Sequence, residues 1–287
     1  LAGHRDVVTH RYRDYPALFT PYWWNRWLDR VPRPPEAPRE RAHADGIAVT
    51  SDSPEALEEM LWAAFFRGAH DPARCHVLDR HTAAPAFEHF YRGHLAKLLY
   101  LRGGVRYCAK GNYNVTRIDY LLRLFPDARF IVPVRDPVWH IASSLKQHRL
   151  FSTAQRRHPR ARVHLRRAGH FEFGLDRRAV NVGDGQAAAV LACWRSGREI
   201  EGWARYWAAV YGFILRQMET RAALRDAVLI VRFEDLCRAP HAALERVLAH
   251  AGLAPDSGVL GHAQRRLAAP GYYRPDFTAA ELDIIAA

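Results

Sequence analysis

The residues best suited to bind an anion lie where an apolar run turns into a helix pattern, in the stretch FIVPVRDPVWHIASSLKQ (residues 130–147). The run ends at Arg135, Asp136 can cap a helix, and Pro137 suits its first position, so a guanidinium lies at the strand end. Open α/β sheets bind ligands at that edge. The pattern predicts an anion site, and the alternative is a capped surface helix whose Arg135 pairs with Asp136 or another carboxylate.

Polar side chains at helical spacing follow in the same stretch. His140, Ser143, Ser144 and Gln147 lie at i, i+3, i+4 and i+7. They form one face of the helix, opposite an apolar face that packs on the sheet. The Ser143 hydroxyl is therefore expected on the side that faces a ligand or solvent.

Strand and helix patterns alternate along the chain, which favours an α/β fold with a central parallel sheet. Short apolar runs typical of buried strands occur at residues 6–9, 105–108, 129–134 and 227–231. Helix patterns occur at residues 53–66, 85–101, 116–125, 137–147, 202–224 and 240–250.

The composition excludes several classes of protein. The chain has 287 residues, 49% of them hydrophobic, and it contains no apolar run long enough to span a membrane. We therefore expect one globular domain over residues 1–287 and no membrane span. The four cysteines form no metal-ligand cluster, which predicts neither zinc nor a disulfide framework and fits reduced thiols in the cytoplasm.

The net charge of +12 favours an anionic partner. Nearly all of the positive charge is arginine, because the chain has only three lysines. This compositional bias weakens the charge as evidence for nucleic acid, and we predict no nucleic-acid partner. Residues 148–170 carry seven arginines with little apolar periodicity. We predict a mobile basic loop and acceptor-side region over residues 148–185, and the alternatives are a lid, a contact for an acidic acceptor, or RNA binding.

The stretch RDPVWHIAS resembles the 3'-phosphate motif of the sulfotransferases that use 3'-phosphoadenosine 5'-phosphosulfate (PAPS). In that family an Arg at a strand end is followed eight residues later by a Ser, here Arg135 and Ser143. The resemblance implies that both bind the 3'-phosphate of PAPS or of its product PAP, and the planar guanidinium suits bidentate phosphate contact. Upstream, AKGNYNVTRIDYLLRLFPDARFIVPVRDP resembles the family's strand, lysine, helix and strand, and Lys110 takes the place of the lysine that stabilises the transferring group.

A candidate base lies near the start of the chain, where LAGHRDVVTHRYRDYPALF resembles the segment after the family's first helix. Some members that sulfate carbohydrates carry a carboxylate base there, and Asp14 falls close to that place. The resemblance implies a catalytic role, while the alternative is a turn residue that pairs with Arg11 or Arg13. Many members have a His two or four residues after the lysine, but Asn112 and Asn114 stand here and neither can act as a base.

Two aromatic features have both a functional and a structural interpretation. The late stretch AVLIVRFEDLCRAPHAALERVLAHAGL resembles the family's strand and helix, and Phe233 takes an aromatic position that faces the adenine in some members. The alternative is a core aromatic residue. A cluster at helical spacing is predicted to be core, with an acceptor cavity as the alternative; its members are Tyr22, Trp23, Trp24 and Trp27.

The resemblance implies a PAPS-dependent sulfotransferase with a three-layer α/β/α fold that is P-loop NTPase-like. It implies a small-molecule or carbohydrate acceptor with a hydroxyl or amine, and no metal, because Arg and Lys supply the countercharge. It also places Leu1 beyond the glycine-rich turn that binds the 5'-phosphosulfate. Residues 284–287 stop inside a helix pattern that begins near Thr278, so we expect a chain incomplete at both ends. A P-loop kinase-like enzyme and a non-catalytic 3'-phosphonucleotide or nucleic-acid binding protein are the alternatives, and the acceptor and oligomeric state stay open.

Overall fold

The computed structural model describes residues 1–32, 34–271 and 273–287. The chain groups into two compact units. The first comprises residues 1–67, 83–112 and 256–259, and the second comprises residues 68–82, 113–255 and 260–287. A single domain over residues 1–287 stays a prediction.

The first unit combines a parallel strand pair, an antiparallel ribbon and helices. Its strands are β1 (Val7–Val8), β2 (Arg39–Glu40), β3 (Ala48–Val49) and β4 (Arg106–Tyr107), and its helices are α1 (Pro21–Leu28), α2 (Glu59–Phe65) and α3 (Pro85–Arg102). β1 pairs in parallel with β4, and β2 pairs with β3 in the antiparallel sense. The strands predicted at residues 6–9 and 105–108 and the helix at 85–101 are therefore confirmed.

The prediction that the α1 tryptophans are core residues is wrong for two of them. Trp23 is 74% exposed and Trp27 is 53% exposed. The helix turns Asn25 inward instead, because the Asn25 amide donates to the buried carboxylate of Asp14 and to the carbonyl of Pro21. A polar contact therefore sets which face of α1 is buried.

The helix α2 begins later than predicted. The pattern predicts a helix from residue 53, but α2 starts at Glu59. The preceding residues bond to the N-terminal segment, since the Tyr12 N–H donates to the Ser53 carbonyl and the Glu55 N–H donates to the His10 carbonyl. These tertiary hydrogen bonds replace the first helical turn.

The second unit contains a parallel strand pair among many helices. Its elements are α4 (Ile118–Leu124), β5 (Phe130–Val134), α5 (Pro137–Arg157), α6 (Pro159–Arg167), α7 (Gln186–Arg195), α8 (Glu199–Thr220), α9 (Ala222–Ala227), β6 (Val228–Arg232), α10 (Phe233–Arg238), α11 (Pro240–His250), most of α12 (Ser257–Arg266), and α13 (Ala279–Ala286). β5 and β6 run in parallel from the pair Phe130 and Val228 to the pair Val134 and Arg232. Both strands lead directly into helices, so two strand-to-helix junctions lie at the same end of the pair.

The fold is mixed α/β and rich in helix, with small parallel sheets. The three-layer, P-loop-like arrangement around one central sheet stays a prediction. In the part of the chain that the structure describes, no helix has the length and apolar composition that crossing a membrane requires.

The predicted basic loop is helical over much of its length. α5 continues to Arg157, and after His158 the helix α6 runs to Arg167. Arginine favours helix, and Pro159 suits the first position of α6 while disfavouring a helical conformation at His158. The loop assignment is therefore wrong up to Arg167, and the predicted mobility of residues 148–185 is untested.

Candidate functional site

The turn between β5 and α5 is tied to the neighbouring junction between β6 and α10. The Asp136 side chain caps α5 by accepting from the backbone N–H of Trp139 at 3.2 Å. The backbone N–H of Asp136 donates to Oε1 of Glu234, in the first turn of α10, at 2.9 Å. Burial raises the pKa of Glu234, but this N–H and the nearby arginines outweigh it, and the pKa is lowered. The two junctions are thus held side by side.

The guanidinium of Arg135 lies among three aromatic rings. Its Cζ is 4.8 Å from the centre of the Phe233 ring, 5.5 Å from that of Tyr273 and 5.7 Å from that of Trp139. Rings at these distances attract a cation through their negative faces. We name these three rings and the guanidinium the Arg135 cage.

Arg135 forms no ion pair with a residue that the structure describes. Asp136 caps the helix, and Glu234 accepts from the backbone of Asp136. The alternative in which Arg135 pairs with Asp136 is therefore wrong. A guanidinium held by neutral rings keeps its N–H donors for an external acceptor.

Ser143 follows on the same helix as the Arg135 cage. It lies four residues after Trp139, so the two side chains share one face of α5. The side chain is half-buried, and its hydroxyl has no hydrogen bond within the described part of the chain. The structure therefore brings Arg135 and Phe233 into contact and places Ser143 on the helix face that carries the ring of Trp139.

The N-terminus of α5 adds to the positive character of this turn. α5 is 21 residues long and begins at Pro137, so its dipole puts partial positive charge beside Arg135. His140 lies in the first turn, and burial together with Arg135 lowers the pKa of its imidazole to about 4. His140 is neutral at pH 7, and Arg135 supplies the full positive charge of the turn.

Lys110 and Asp14 belong to the first unit. Lys110 comes three residues after β4, is exposed, and forms no ion pair among residues 1–32, 34–271 and 273–287. Its predicted place after a strand is confirmed. The residues that follow, including Asn112 and Asn114, form a 3₁₀ turn.

Asp14 is fully buried in a polar network. Its Oδ1 accepts from Nη2 of Arg102 at 2.6 Å and from Nδ2 of Asn25 at 3.0 Å. Its Oδ2 accepts from the Arg11 backbone N–H at 3.0 Å and lies 3.1 Å from Nδ1 of His10. Burial raises the pKa of Asp14, but the bonds to His10 and Arg102 outweigh it and hold the pKa well below its usual range.

This network favours a structural role for Asp14 over the role of a base. A general base must reach the proton that it removes and must have a pKa near the working pH. Asp14 is 0% exposed and its pKa is depressed. The alternative partners are also different, since the side chains of Arg11 and Arg13 pair with Asp52 instead. A catalytic role of Asp14 stays a prediction.

Sequence reasoning missed two rings of the Arg135 cage, Trp139 and Tyr273. It also missed the hydrogen bond from the Asp136 backbone to Glu234. Trp139 could have been found, because it lies four residues before Ser143 on the same helix face. Tyr273 lies in an irregular segment after α12 that gives no periodic signal. Glu234 follows a predicted strand, but only the fold reveals its bond to the Asp136 backbone.

No candidate metal centre is present among the described residues, since no group of three or more His, Cys, Asp or Glu side chains is placed to hold an ion. The Arg135 cage offers guanidinium N–H groups, which are hydrogen-bond donors suited to an anion.

The comparison with protein families gives one match. The model of a family described as "Sulfotransferase family" matches residues 23–190, which is more than half of the chain. The match includes Lys110, Arg135 and Ser143, whereas Asp14 and Phe233 lie outside it. No curated protein and no solved structure matches the chain.

Proposed function

The chain belongs to the sulfotransferase family, and we propose that it moves a sulfuryl group from PAPS to a hydroxyl or amine of a small-molecule or carbohydrate acceptor. The observation that carries the proposal is the Arg135 cage, where a guanidinium with no ion pair in the described part of the chain lies at a strand end beside a helix N-terminus. This arrangement fits the 3'-phosphate that distinguishes PAPS and PAP from ADP.

In this proposal Arg135 donates two hydrogen bonds to the 3'-phosphate. The rings of Phe233, Tyr273 and Trp139 fix the plane of its guanidinium before the ligand arrives, and a fixed donor loses less freedom on binding. Ser143 donates a hydrogen bond from its hydroxyl to the same phosphate. Phe233 also takes part in the cofactor site as the ring closest to Arg135.

Lys110 acts on the transferring group in this proposal. PAPS supplies a sulfuryl group that leaves the 5'-phosphate oxygen as the acceptor oxygen or nitrogen bonds to sulfur, and the acceptor releases its proton to solvent. The exposed ammonium of Lys110 is free to stabilise the negative charge that develops on the leaving oxygen. We expect Lys110→Ala to reduce turnover much more than PAP affinity, and equal losses would make Lys110 a binding residue.

The test is calorimetric titration of the 287-residue chain with PAP and with ADP, without metal. PAP is expected to bind at least about tenfold more tightly than ADP, because charge-assisted bonds to the 3'-phosphate add about 1.5–3 kcal/mol. Arg135→Ala is expected to remove this preference. The matched control is Arg156→Ala, an exposed arginine on the same helix without an ion pair among the described residues.

Two results would contradict the proposal. One is equal affinity for PAP and ADP in the folded wild-type chain. The other is unchanged PAP affinity in a folded Arg135→Ala variant. A loss in Arg156→Ala as large as that in Arg135→Ala would show that general positive charge, and not the Arg135 cage, attracts the nucleotide.

A further inference from the structure

An exposed aromatic surface lies on the first unit, on α1 and at the end of α3. Trp23 is 74% exposed, Trp27 53% and Tyr100 77%. The ring of Tyr22 joins two of them, with its centre 5.2 Å from that of Trp23 and 6.1 Å from that of Tyr100. Large exposed aromatic groups that adjoin one another mark an interaction site. These four residues are named the aromatic face.

Three cations flank the aromatic face. Arg26, Arg30 and Lys97 are exposed, and none forms an ion pair with any residue that the structure describes. The guanidinium of Arg26 lies 5.7 Å from the centre of the Tyr22 ring. The neighbouring carboxylate of Asp29 lies 3.2 Å from Nη2 of Arg13, which also pairs with Asp52. The surface therefore combines indole and phenol rings with positive charge.

Two hydrogen-bonding side chains of α1, Asn25 and Trp24, use their N–H groups within the fold. The Asn25 amide donates inward to Asp14 and to the Pro21 carbonyl, and the Trp24 indole N–H donates to the Arg13 carbonyl. These N–H groups are therefore not available to a ligand on this surface. The aromatic face offers rings and cations instead.

Aromatic rings together with cations are the groups with which proteins bind the headgroup region of a bilayer. Indole and phenol rings favour the boundary between water and lipid, and arginine and lysine are attracted to anionic headgroups. The positive charge of the face complements such a surface, as does the net charge of +12. We propose that the aromatic face and its three cations bind the surface of an anionic lipid bilayer, with the rings among the headgroups.

The test measures partitioning of the full chain onto sedimented vesicles of phosphatidylcholine, alone and with 40 mol% phosphatidylglycerol. Binding is expected on the anionic vesicles and is expected to weaken as salt rises. Trp23→Ser with Trp27→Ser is expected to weaken it at least about tenfold through loss of apolar contact. Arg26→Gln, Arg30→Gln and Lys97→Gln together are expected to weaken it about 100-fold, at about fivefold per cation.

Two controls separate the aromatic face from general properties of the chain. Arg156→Gln, Arg157→Gln and Arg160→Gln remove the same charge from exposed positions of the second unit, and less than about a threefold change is expected because the proposal assigns the attraction to Arg26, Arg30 and Lys97 and not to the net charge. Val163→Ser with Leu215→Ser removes exposed apolar groups elsewhere, and no change is expected. Circular dichroism of every variant checks that the fold is retained.

Four results would overturn the proposal. The first is a tryptophan variant that binds the anionic vesicles as tightly as the wild type, and the second is an equal loss of binding in the second-unit arginine variant. The third is a wild-type dimer that binds no vesicles and becomes a monomer in the tryptophan variant. The fourth is a wild-type chain that binds no vesicles but binds an oligosaccharide through the aromatic face. The readout is partitioning, so its outcome is independent of sulfuryl transfer.

Discussion

Replacing Asp14 by Asn tests whether this carboxylate holds the first unit together. The side chain of Asp14 is 0% exposed and that of Arg102 is 6% exposed, with Oδ1 and Nη2 2.6 Å apart. Arg102 also donates to the carbonyl of Thr9. Asp14→Asn keeps the shape of the side chain and removes its charge, which leaves the guanidinium of Arg102 buried without a counterion.

The burial of this pair decides the size of the effect. An exposed ion pair contributes about 0–1 kcal/mol, but removing one partner of a buried pair costs about 3–5 kcal/mol because the remaining charge is uncompensated. We expect Asp14→Asn to lower the free energy of unfolding by about 3–5 kcal/mol. The matched control is Asp52→Asn, because Asp52 is 57% exposed and pairs with Arg11 and Arg13 at 3.3 and 3.2 Å; here we expect a loss of at most about 1 kcal/mol.

The pH dependence has a definite sign. The pKa of Asp14 is lower in the folded chain than its ordinary value of 3.8, so the unfolded chain binds the proton more readily. The stabilisation is therefore complete above about pH 4 and is lost as the pH falls through the folded pKa. The difference in stability between the wild type and Asp14→Asn is expected to be constant from pH 5 to 8 and to shrink in stronger acid.

The assay is urea denaturation followed by circular dichroism, with Arg102→Met and the double variant completing a cycle. The double variant is expected to lose about 1–3 kcal/mol less than the sum of the single variants. A loss below about 1 kcal/mol in Asp14→Asn would refute the assigned burial of the pair. Undisturbed stability together with at least a hundredfold loss of turnover would identify Asp14 as the base.

Three further predictions concern the second unit. Phe233→Leu removes the ring nearest Arg135 and is expected to weaken PAP binding about two- to fivefold in calorimetry, given about 0.5–1 kcal/mol for a cation–π contact. Unchanged affinity would contradict this expectation. Gly202→Ala would place a Cβ too close to the Trp194 ring. Urea denaturation should show a net loss of about 1 kcal/mol or more in the free energy of unfolding, because overpacking exceeds the gain in helix propensity. Equal or higher stability would refute the close packing. The pKa of His140 is lowered to about 4, so the unfolded chain binds a proton that the folded chain does not, and stability should fall as the pH drops from 6.5 towards 4. His140→Gln should reduce this dependence of the urea midpoint on pH. An unchanged dependence would show that other groups cause it.

The strands and most helices could be predicted because their signals are local. An apolar run followed by Asp136 and Pro137 fixes both the end of β5 and the start of α5. Residues 53–58 carry equally good helix signals, but their backbone bonds to the segment around His10 and Tyr12. These hydrogen bonds join segments about 40 residues apart, so no local stretch of the sequence predicts them.

The predictions for the exposed basic helix α6 and for the tryptophans of α1 were wrong for opposite reasons. α6 has no buried residue, so the apolar periodicity that identifies a helix is absent, although arginine itself favours helix. α1 has strong aromatic periodicity, but its inward face is set by the hydrogen bond from Asn25 to Asp14. Hydrophobicity alone predicts neither.

Arg135 could be predicted as an anion ligand, but its cage could not. The strand end and the spacing to Ser143 are features of one stretch of sequence, whereas Phe233 and Tyr273 reach the guanidinium from elements about 100 residues or more further on. The pairing of β5 with β6 brings the Phe233 junction to this place.

Two arginines of this chain show why an unpaired cation carries the functional inference. Arg102 is 6% exposed and bonds to Asp14, so its charge is compensated within the fold and its removal is expected to affect stability. Arg135 forms no ion pair among the described residues, and three rings surround its guanidinium. The Glu234 carboxylate accepts from the Asp136 backbone instead and feels Arg135 only as a nearby charge that lowers its pKa. Such rings orient a guanidinium without neutralising it. Arg135 forms no ion pair within the described part of the chain, so Arg135→Ala is expected to affect ligand affinity with little loss of stability.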